Sequence, residues 1–360
     1  FASISVARQL SKWAKKSKHM EVSLVCEHNY FTFQPMLPQV AAGSIEPSHV
    51  INPIRQLCPN VTVHRATVDH IDILNKRVKI VGSDFTRQKY IHYDHLVVGL
   101  GQRTDLSRVP GLSEHSIPIK TLGDAFFLRN EIINKLEEAA IETDRETKRA
   151  LLTFVVVGGG FSGVETVGEV GDMLKTAVKR YKNISPEDLR IVLVHSKKEI
   201  LNELSPKLGA FAQKKLMARG IECQLNCRIS EVSPNEIRLS NGHVIHTKTV
   251  VSAIGNAPHP VLLELPFINA NGRLDSNEYC QVVDYNEGGD LIDNVWTVGD
   301  CANIPDLYKQ KKTKTPSFCP PTAQYATRQG LTCAKNIFNS IIIIFRSNCN
   351  FNTIYNNSYR

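Results

Sequence analysis

The sequence predicts an α/β protein of two doubly wound units, one set inside the other, and three observations carry that reading. The chain has 360 residues, 42% hydrophobic and 22% charged, enough to give more than one domain a core. Two apolar strands run into glycines, His95-Leu96-Val97-Val98-Gly99-Leu100-Gly101 and Phe154-Val155-Val156-Val157-Gly158. Around them, stretches of helical period alternate with short apolar runs, the order that builds parallel sheets. Disorder as the main state is excluded, since Gly 21 and Pro 17 are ordinary counts.

The elements follow in order. Ile4, Ala7, Leu10, Trp13 and Ala14 recur at helical spacing, and Lys12, Lys15, Lys16 and Lys18 crowd the end where cations suit the helix dipole. Val22 to Cys26 reads as a buried strand, followed by an aromatic loop from Tyr30 to Pro35. Short antiparallel strands are expected at Val61 to Arg65, Val68 to Ile73, Val78 to Val81 and Tyr90 to His92, before the strand that ends at Gly101. Asp124 to Ala140 has helical period, and a polar stretch from Glu142 to Lys148 bridges to a second α/β unit starting at Leu151. There the strand Phe154 to Val157, the turn Gly158 to Gly163 and a helix from Val164 to about Tyr181 succeed one another. Ile191 to Val194, a helix from Pro206 to Arg219, and Thr249 to Gly255 complete that unit. Val295 to Asp300 is a further strand with a helix expected from Cys301, and Thr322 to Asn336 is a last helix. From Asn339 the composition shifts to Asn, Ile and Ser, and 339–360 is expected to be poorly ordered or an aberrant tail.

Composition removes several classes. Nine cysteines without a Cys-x-x-Cys pair make neither a disulfide scaffold nor a zinc site, and Cys223 and Cys227 lack a His or acidic cluster beside them. Reduced, buried thiols are expected. The net charge of +8 is spread out, apart from the first helix and Lys309, Lys311, Lys312 and Lys314, so nucleic acid is not expected. An anionic nucleotide or an anionic membrane surface suits the charge equally. No stretch is apolar for long enough to span a bilayer, and residue 1 is Phe in what reads as a first helical turn, so the chain reads as a fragment.

The chemistry is concentrated in Gly158-x-Gly160-x-x-Gly163, directly after a strand and opening a helix. That context requires a tight turn at the first Gly, close approach of a pyrophosphate at the second, and helix-to-strand packing at the third, with the helix start facing the phosphates. An acid for ribose hydroxyls is expected at the end of the next strand, where His195 stands, followed by Ser196, Lys197 and Lys198. The choice between NADH and NADPH stays open, and His195 reads either as a ligand contact or as a packing and hydrogen-bonding residue. Glu165 is either a carboxylate favoured by the helix N-terminus or a contact at the nicotinamide end. Gly299-Asp300 ends an apolar strand, where a carboxylate can accept from sugar-chain hydroxyls.

Four segments carry a resemblance: Gly158-Gly159-Gly160-Phe161-Ser162-Gly163-Val164-Glu165, Thr297-Val298-Gly299-Asp300, Asn29 to Leu37, and Pro320-Pro321-Thr322-Ala323-Gln324. Together, over about Phe1 to Phe338, the chain resembles the type II NADH:quinone dehydrogenases, non-electrogenic flavoproteins of the two-dinucleotide-binding-domain superfamily. The resemblance implies two Rossmann-like dinucleotide-binding domains with antiparallel β excursions, the NAD(P)H domain inserted into the FAD domain. It divides the chain into 1–122 (FAD, first part), 123–256 (NAD(P)H) and 257–338 (FAD, second part, with the quinone-site helix).

By position, Gly158, Gly160 and Gly163 would cradle the NADH pyrophosphate, with Glu165 by the nicotinamide. Asp300 would bind the flavin ribityl chain, and Pro35 and Gly101 would line the FAD site. Glu27, Val68, His195, Gly255 and Gly299 complete the implied cofactor-binding set, and no metal is implied. Gln324 matches the first glutamine of the family's quinone motif. The second position is Arg328 here, although Gln329 follows. Ser3 stands where the FAD domain's third turn glycine is expected, and Cys26 where its ribose-binding acid is, with Glu27 adjacent.

The implied reaction passes hydride from NADH to FAD and electrons to a quinone. The implied setting is a membrane surface facing cytosol or an organelle matrix, with a homodimer possible. Disulfide reductases share the architecture but carry a cysteine pair after the first βαβ, and Gln34 to Pro38 has none. Two readings remain as alternatives: a sulfide:quinone reductase, which needs cysteines beside the flavin where only Cys301 and Cys319 stand, and a nucleotide-binding fragment without activity.

Overall fold

The computed structural model describes residues 1–15, 20–82, 88–269, 271–285 and 288–348, with side chains as far as 342. Packing divides the chain into two compact units, one formed by Phe1–Phe31, Pro53–Gln102 and Pro258–Arg360, the other by Thr32–Asn52 and Arg103–Ala257. Residues 32–52 and 103–122, which the sequence division gives to the first segment, thus pack with the inserted unit. The reason is apolar: Leu37, Val40, Ala41 and Ile119 are buried in the same cluster as Leu128 and Ile132.

The inserted unit is a five-stranded parallel sheet in the order Ile117–Pro118, Thr249–Ser252, Thr153–Val157, Arg190–Val194, Ile221–Gln224. Its central strand is buried along its whole length, because both faces are covered. Phe154 and Val156 join Leu136, Val167 and Leu174 on one side, while Val155 and Val157 join Val192, Ile237 and Ile245 on the other. Alternation along a strand thus feeds two cores, each such side chain worth roughly 2 kcal/mol of burial. The helix Leu122–Ile141 begins with a capping box, Thr121 Oγ1 accepting from Asp124 N–H and Asp124 Oδ2 accepting from Thr121 N–H. It buries Ala125, Leu128, Ile132, Leu136 and Ala139, a helical stripe. The polar stretch expected as a bridge is instead largely helix, Arg145–Leu151. Asp144 accepts from Thr147 N–H at 2.8 Å at its start, and Ala150 and Leu151 are buried.

In the other unit, Ser23–Cys26 pairs in parallel with Thr62–Arg65, and Leu96–Val98 in parallel with Asp290–Thr297. Thr67–Asp72, Arg77–Val81 and Lys89–His92 form an antiparallel meander, as expected, but Thr62–Arg65, expected in the same antiparallel run, belongs instead to the parallel pair with Ser23–Cys26, a register that the turn residues around it do not encode. The first helix spans Ala2–Ala14, and Lys16 and Lys18 lie outside the described residues. It packs along the last helix, Ala323–Asn348, burying Val6 and Leu10 with Ala326, Cys333, Ala334 and Ile337, and stacking Trp13 on Phe338 with ring centroids 4.5 Å apart.

Two further expectations, both about where helices begin and end, are corrected by the structure. The last helix does not stop at Asn336: it continues to Asn348, so 339–348 is helix rather than a poorly ordered tail, and 349–360 lies outside the described residues. Ile341 packs against the same cluster as Ile337, and this tertiary contact outweighs the modest helix propensity of Asn, Ile and Ser. No helix begins at Cys301. Gly299–Cys301 is a single 3₁₀ turn leading into the short strand Ala302–Asn303, which pairs with Leu274–Asp275, so no helix start offers N–H groups beside Asp300.

Candidate functional site

The glycine turn joins Thr153–Val157 to the helix Phe161–Ala177, and the backbone requires glycine at two of its positions. Gly158 has φ +117°, a left-handed conformation that side chains resist. At Gly163 a Cβ would stand 1.8 Å from the Gly158 carbonyl oxygen, so helix and strand approach as closely as they do only without one. At Gly160 a Cβ would meet only Glu203 Oε1, at 3.8 Å, leaving an open face over the first turn of a 17-residue helix. The unpaired N–H groups of such a turn and the helix dipole favour an anion there. This open cradle fits a pyrophosphate.

The turn is held from the next strand. Gly159 N–H donates to His195 Nδ1 at 3.0 Å, and the Gly159 carbonyl accepts from Leu201 N–H at 2.7 Å. With Nδ1 accepting, His195 Nε2 faces Asn202 Oδ1 at 3.3 Å as donor. Both ring nitrogens therefore have partners within the chain. Lys197 and Lys198 are exposed just beyond. Leu201 adopts φ +53° in doing so, an unusual conformation for a branched residue, sustained by burial of its side chain.

Glu165 lies in the second turn of the same helix and remains open to solvent. Surrounding protein atoms, and then the carboxylate of Glu169 one turn on, push its carboxyl above the usual range. Glu169 in turn accepts from Ser44 Oγ at 3.0 Å. Gly255, φ +91°, sits after the strand Thr249–Ser252, and its carbonyl accepts from Asp105 N–H. Pro35 belongs to this unit too, exposed in the 3₁₀ turn Gln34–Met36.

In the other unit, parallel pairing of Thr297 with Val98 brings the two strand ends side by side. Gly299-Asp300 and Leu100-Gly101 emerge together there, at the carboxyl edge where doubly wound sheets bind ligands. The buried Cys301 Sγ lies between them, its thiol facing the Val298 carbonyl at 3.4 Å and the Val98 carbonyl at 3.6 Å. Gly101 has φ +67° and nothing within 4 Å of a built Cβ, an open approach that fits the side of a large flat cofactor. Ser3 Oγ donates to the Gly99 carbonyl at 3.1 Å. Glu27, exposed, follows the strand Ser23–Cys26, and Val68, on the meander, packs against the same Ala66, Val78 and Ile80 cluster as Val25.

Gln324 is exposed in the first turn of the last helix, and Arg328 shares its face. Gln329 does not: its Oε1 accepts from Gly299 N–H at 2.9 Å, so it secures the Gly299-Asp300 turn instead of standing in at the second glutamine position. Asn202, Ser44 and Gln329 are residues that sequence reasoning left without a role. Gln329 alone carried a signal, its place beside the departure at Arg328. A cavity of about 430 Å³ lined by Val63, His64, Arg65, Ala66, Ile80, Gly82 and Lys89 contains none of the residues expected from sequence. No cluster of metal-ligating side chains occurs among the described residues.

The family model of pyridine nucleotide-disulphide oxidoreductases matches residues 1–330. A mitochondrial external alternative NADH-ubiquinone oxidoreductase of Yarrowia lipolytica is 30% identical over 351 residues, covering 90% of this chain and 56% of the relative. A probable NADH dehydrogenase of Dictyostelium discoideum is 28% identical, covering 89% of this chain and 68% of the relative. The chain thus spans between about half and two thirds of the length of the curated relatives it matches. NDH2 of Plasmodium falciparum, solved in complex with NADH, superposes with a TM-score of 0.79 over 89% of this chain and 79% of that one, at 18% identity. The likeness in that case is one of fold.

Proposed function

Because the chain belongs to the pyridine nucleotide-disulphide oxidoreductase family, we propose that it is a flavoprotein that oxidises NADH, and NADPH where it binds, and reduces a quinone without pumping protons. The observation that carries this reading is the Gly158 to Gly163 turn, intact in backbone conformation, close packing and open face, in a chain whose curated relatives bear NADH-ubiquinone oxidoreductase names. In this reading the inserted unit binds NAD(P)H and the other binds FAD.

The residues divide the work. Gly158, Gly160 and Gly163 leave the helix N-terminus free to receive the pyrophosphate, and His195 keeps that turn in shape. Glu165, its carboxyl pushed up, holds a proton more readily than a free carboxylate and contacts the nicotinamide end. Asp300, with Gly101, Gly299, Glu27 and Val68, receives FAD, and Gln329 fixes the turn that carries Asp300. Bound FAD supplies acceptance of hydride and release of two electrons to the quinone. Gln324 offers an exposed amide to the quinone.

Sulfide oxidation needs a thiolate beside the flavin. Burial pushes the thiols of Cys301 and Cys319 up, the reverse of what a nucleophilic sulfur requires. A peripheral place on a membrane facing cytosol or matrix, and a homodimer, belong to the same proposal. The mitochondrial names of the relatives support the first. Sedimentation velocity tests the second.

The deciding experiment is a titration of the FAD-loaded protein with NADH. Bleaching of the flavin absorbance and its return on adding a short-chain quinone are expected. Binding of NAD(P)H with no bleaching would leave only a nucleotide-binding protein.

A further inference from the structure

Between Ile304 and Cys319 the chain leaves the core and returns, and the base of this excursion is closed. Cys319 N–H donates to the Ile304 carbonyl at 2.9 Å, Asp306 N–H to the Ser317 carbonyl at 2.8 Å, and Pro305 bridges Phe318. Gln310 Nε2 adds a second bond to the Ser317 carbonyl at 2.9 Å. The tip is a short helix, Leu307–Thr313, capped by the Asp306 side chain and ended by Lys314 at φ +56°.

This held strap buries none of its own helix. It exposes Lys309, Lys311, Lys312 and Lys314, whose ammonium groups have no ion-pair partner among the described residues. Beside them Tyr308 is 80% exposed, Leu307 46% and Phe318 45%. Within Asp306 to Phe318 the only acid is Asp306, and its carboxylate is engaged by Lys309 N–H. Unpaired cations interleaved with exposed aromatic and aliphatic side chains on a pinned loop are an interfacial composition: the lysines suit phosphate headgroups, while the apolar groups gain by leaving water. A merely solvated charged loop would not carry the second set.

We propose that this excursion docks on an anionic lipid bilayer. Lys309, Lys311, Lys312 and Lys314 meet the headgroup phosphates, and Leu307, Tyr308 and Phe318 enter the interface. The strap leads through Pro320-Pro321 into the helix that exposes Gln324, so docking sets that glutamine at the lipid surface. The docking names the surface that would serve the peripheral membrane place proposed above, and its last clause rests on the quinone reading.

The test is co-sedimentation of the FAD-loaded protein with phosphatidylcholine vesicles, with and without phosphatidylglycerol. Binding is expected only with phosphatidylglycerol and should fall as salt is added. Replacing the four lysines with serine should weaken it on the order of 1,000-fold. Leu307→Ser with Tyr308→Ser and Phe318→Ser should weaken it while leaving the remainder salt-sensitive. Oxidation of NADH with a water-soluble acceptor and the melting temperature should not change in either variant, since all seven side chains are exposed. Equal binding of wild type and the lysine variant to anionic vesicles would overturn the proposal, as would equal binding of wild type to neutral ones. Soluble polyphosphate held as tightly as vesicles would overturn the bilayer as the partner. Loss of quinone reduction with vesicle binding intact would count against the quinone reading alone.

Discussion

Gly159 and His195 are joined by a hydrogen bond from the turn to the neighbouring strand, N–H to Nδ1 at 3.0 Å, and the ring lies where a Gly159 side chain would be. The position where an acid for the ribose is expected is thus occupied by the residue that shapes the Gly158 to Gly163 turn.

His195→Ala removes the acceptor without touching the strand. The unpaired Gly159 N–H costs about 1 to 2 kcal/mol, a fall of a few degrees in melting temperature. The KM for NADH should rise several-fold while flavin content stays unchanged. A His195→Ala protein with wild-type stability and KM would remove the positioning role.

Gln324 and Gln329 should separate cleanly. Gln324→Ala is expected to raise the KM for a short-chain quinone and leave bleaching by NADH intact, because the side chain is exposed. Gln329→Ala strips Gly299 N–H of its acceptor and should lower flavin retention and melting temperature instead. Stopped-flow reduction and oxidation half-reactions tell the two apart, and a quinone-only defect in Gln329→Ala would contradict the assignment.

Glu165 has its carboxyl pushed above the usual range by the protein atoms that partly screen it from water and then by Glu169. An acid whose folded pKa exceeds its unfolded one contributes stability that is full below the unfolded pKa and is lost as pH rises through the folded value. Glu165→Gln lacks that loss. Its melting temperature should therefore gain on wild type between pH 4 and pH 7, and a difference that stays constant across that range would refute the shift.

Most of the inserted unit was legible because its signals are local. Thr153–Val157 is an unbroken apolar run, and the glycines that follow it are demanded by φ and by contact distance. The strand ending at Thr297 was legible for the same reason, whereas its parallel pairing with Leu96–Val98, which sets Gly299-Asp300 beside Leu100-Gly101, joins segments far apart in the chain. The turn after Asp300 was misread as a helix start because the pairing of Ala302–Asn303 with Leu274–Asp275 is invisible along the chain. The extent of the last helix depends on the first helix, a partner at the opposite end of the sequence. Gln329 and Asn202 took their roles from tertiary placement, which no local period encodes.

The pairing of the first helix with the last has a consequence for synthesis. Ala2 lies against Gly330, where a Cβ would stand 2.5 Å from the Ala2 carbonyl oxygen, so the first helix cannot reach its partner until the residues from Ala2 to Gly330 have all been made. At about 5 to 20 residues per second, that is a wait of roughly a quarter of a minute to a minute on the ribosome. The sheet from Ile117 to Ser252 has all its strands well before then. Vectorial production therefore favours the inserted unit folding first, while the apolar stripe of Val6, Leu10 and Trp13 waits uncovered.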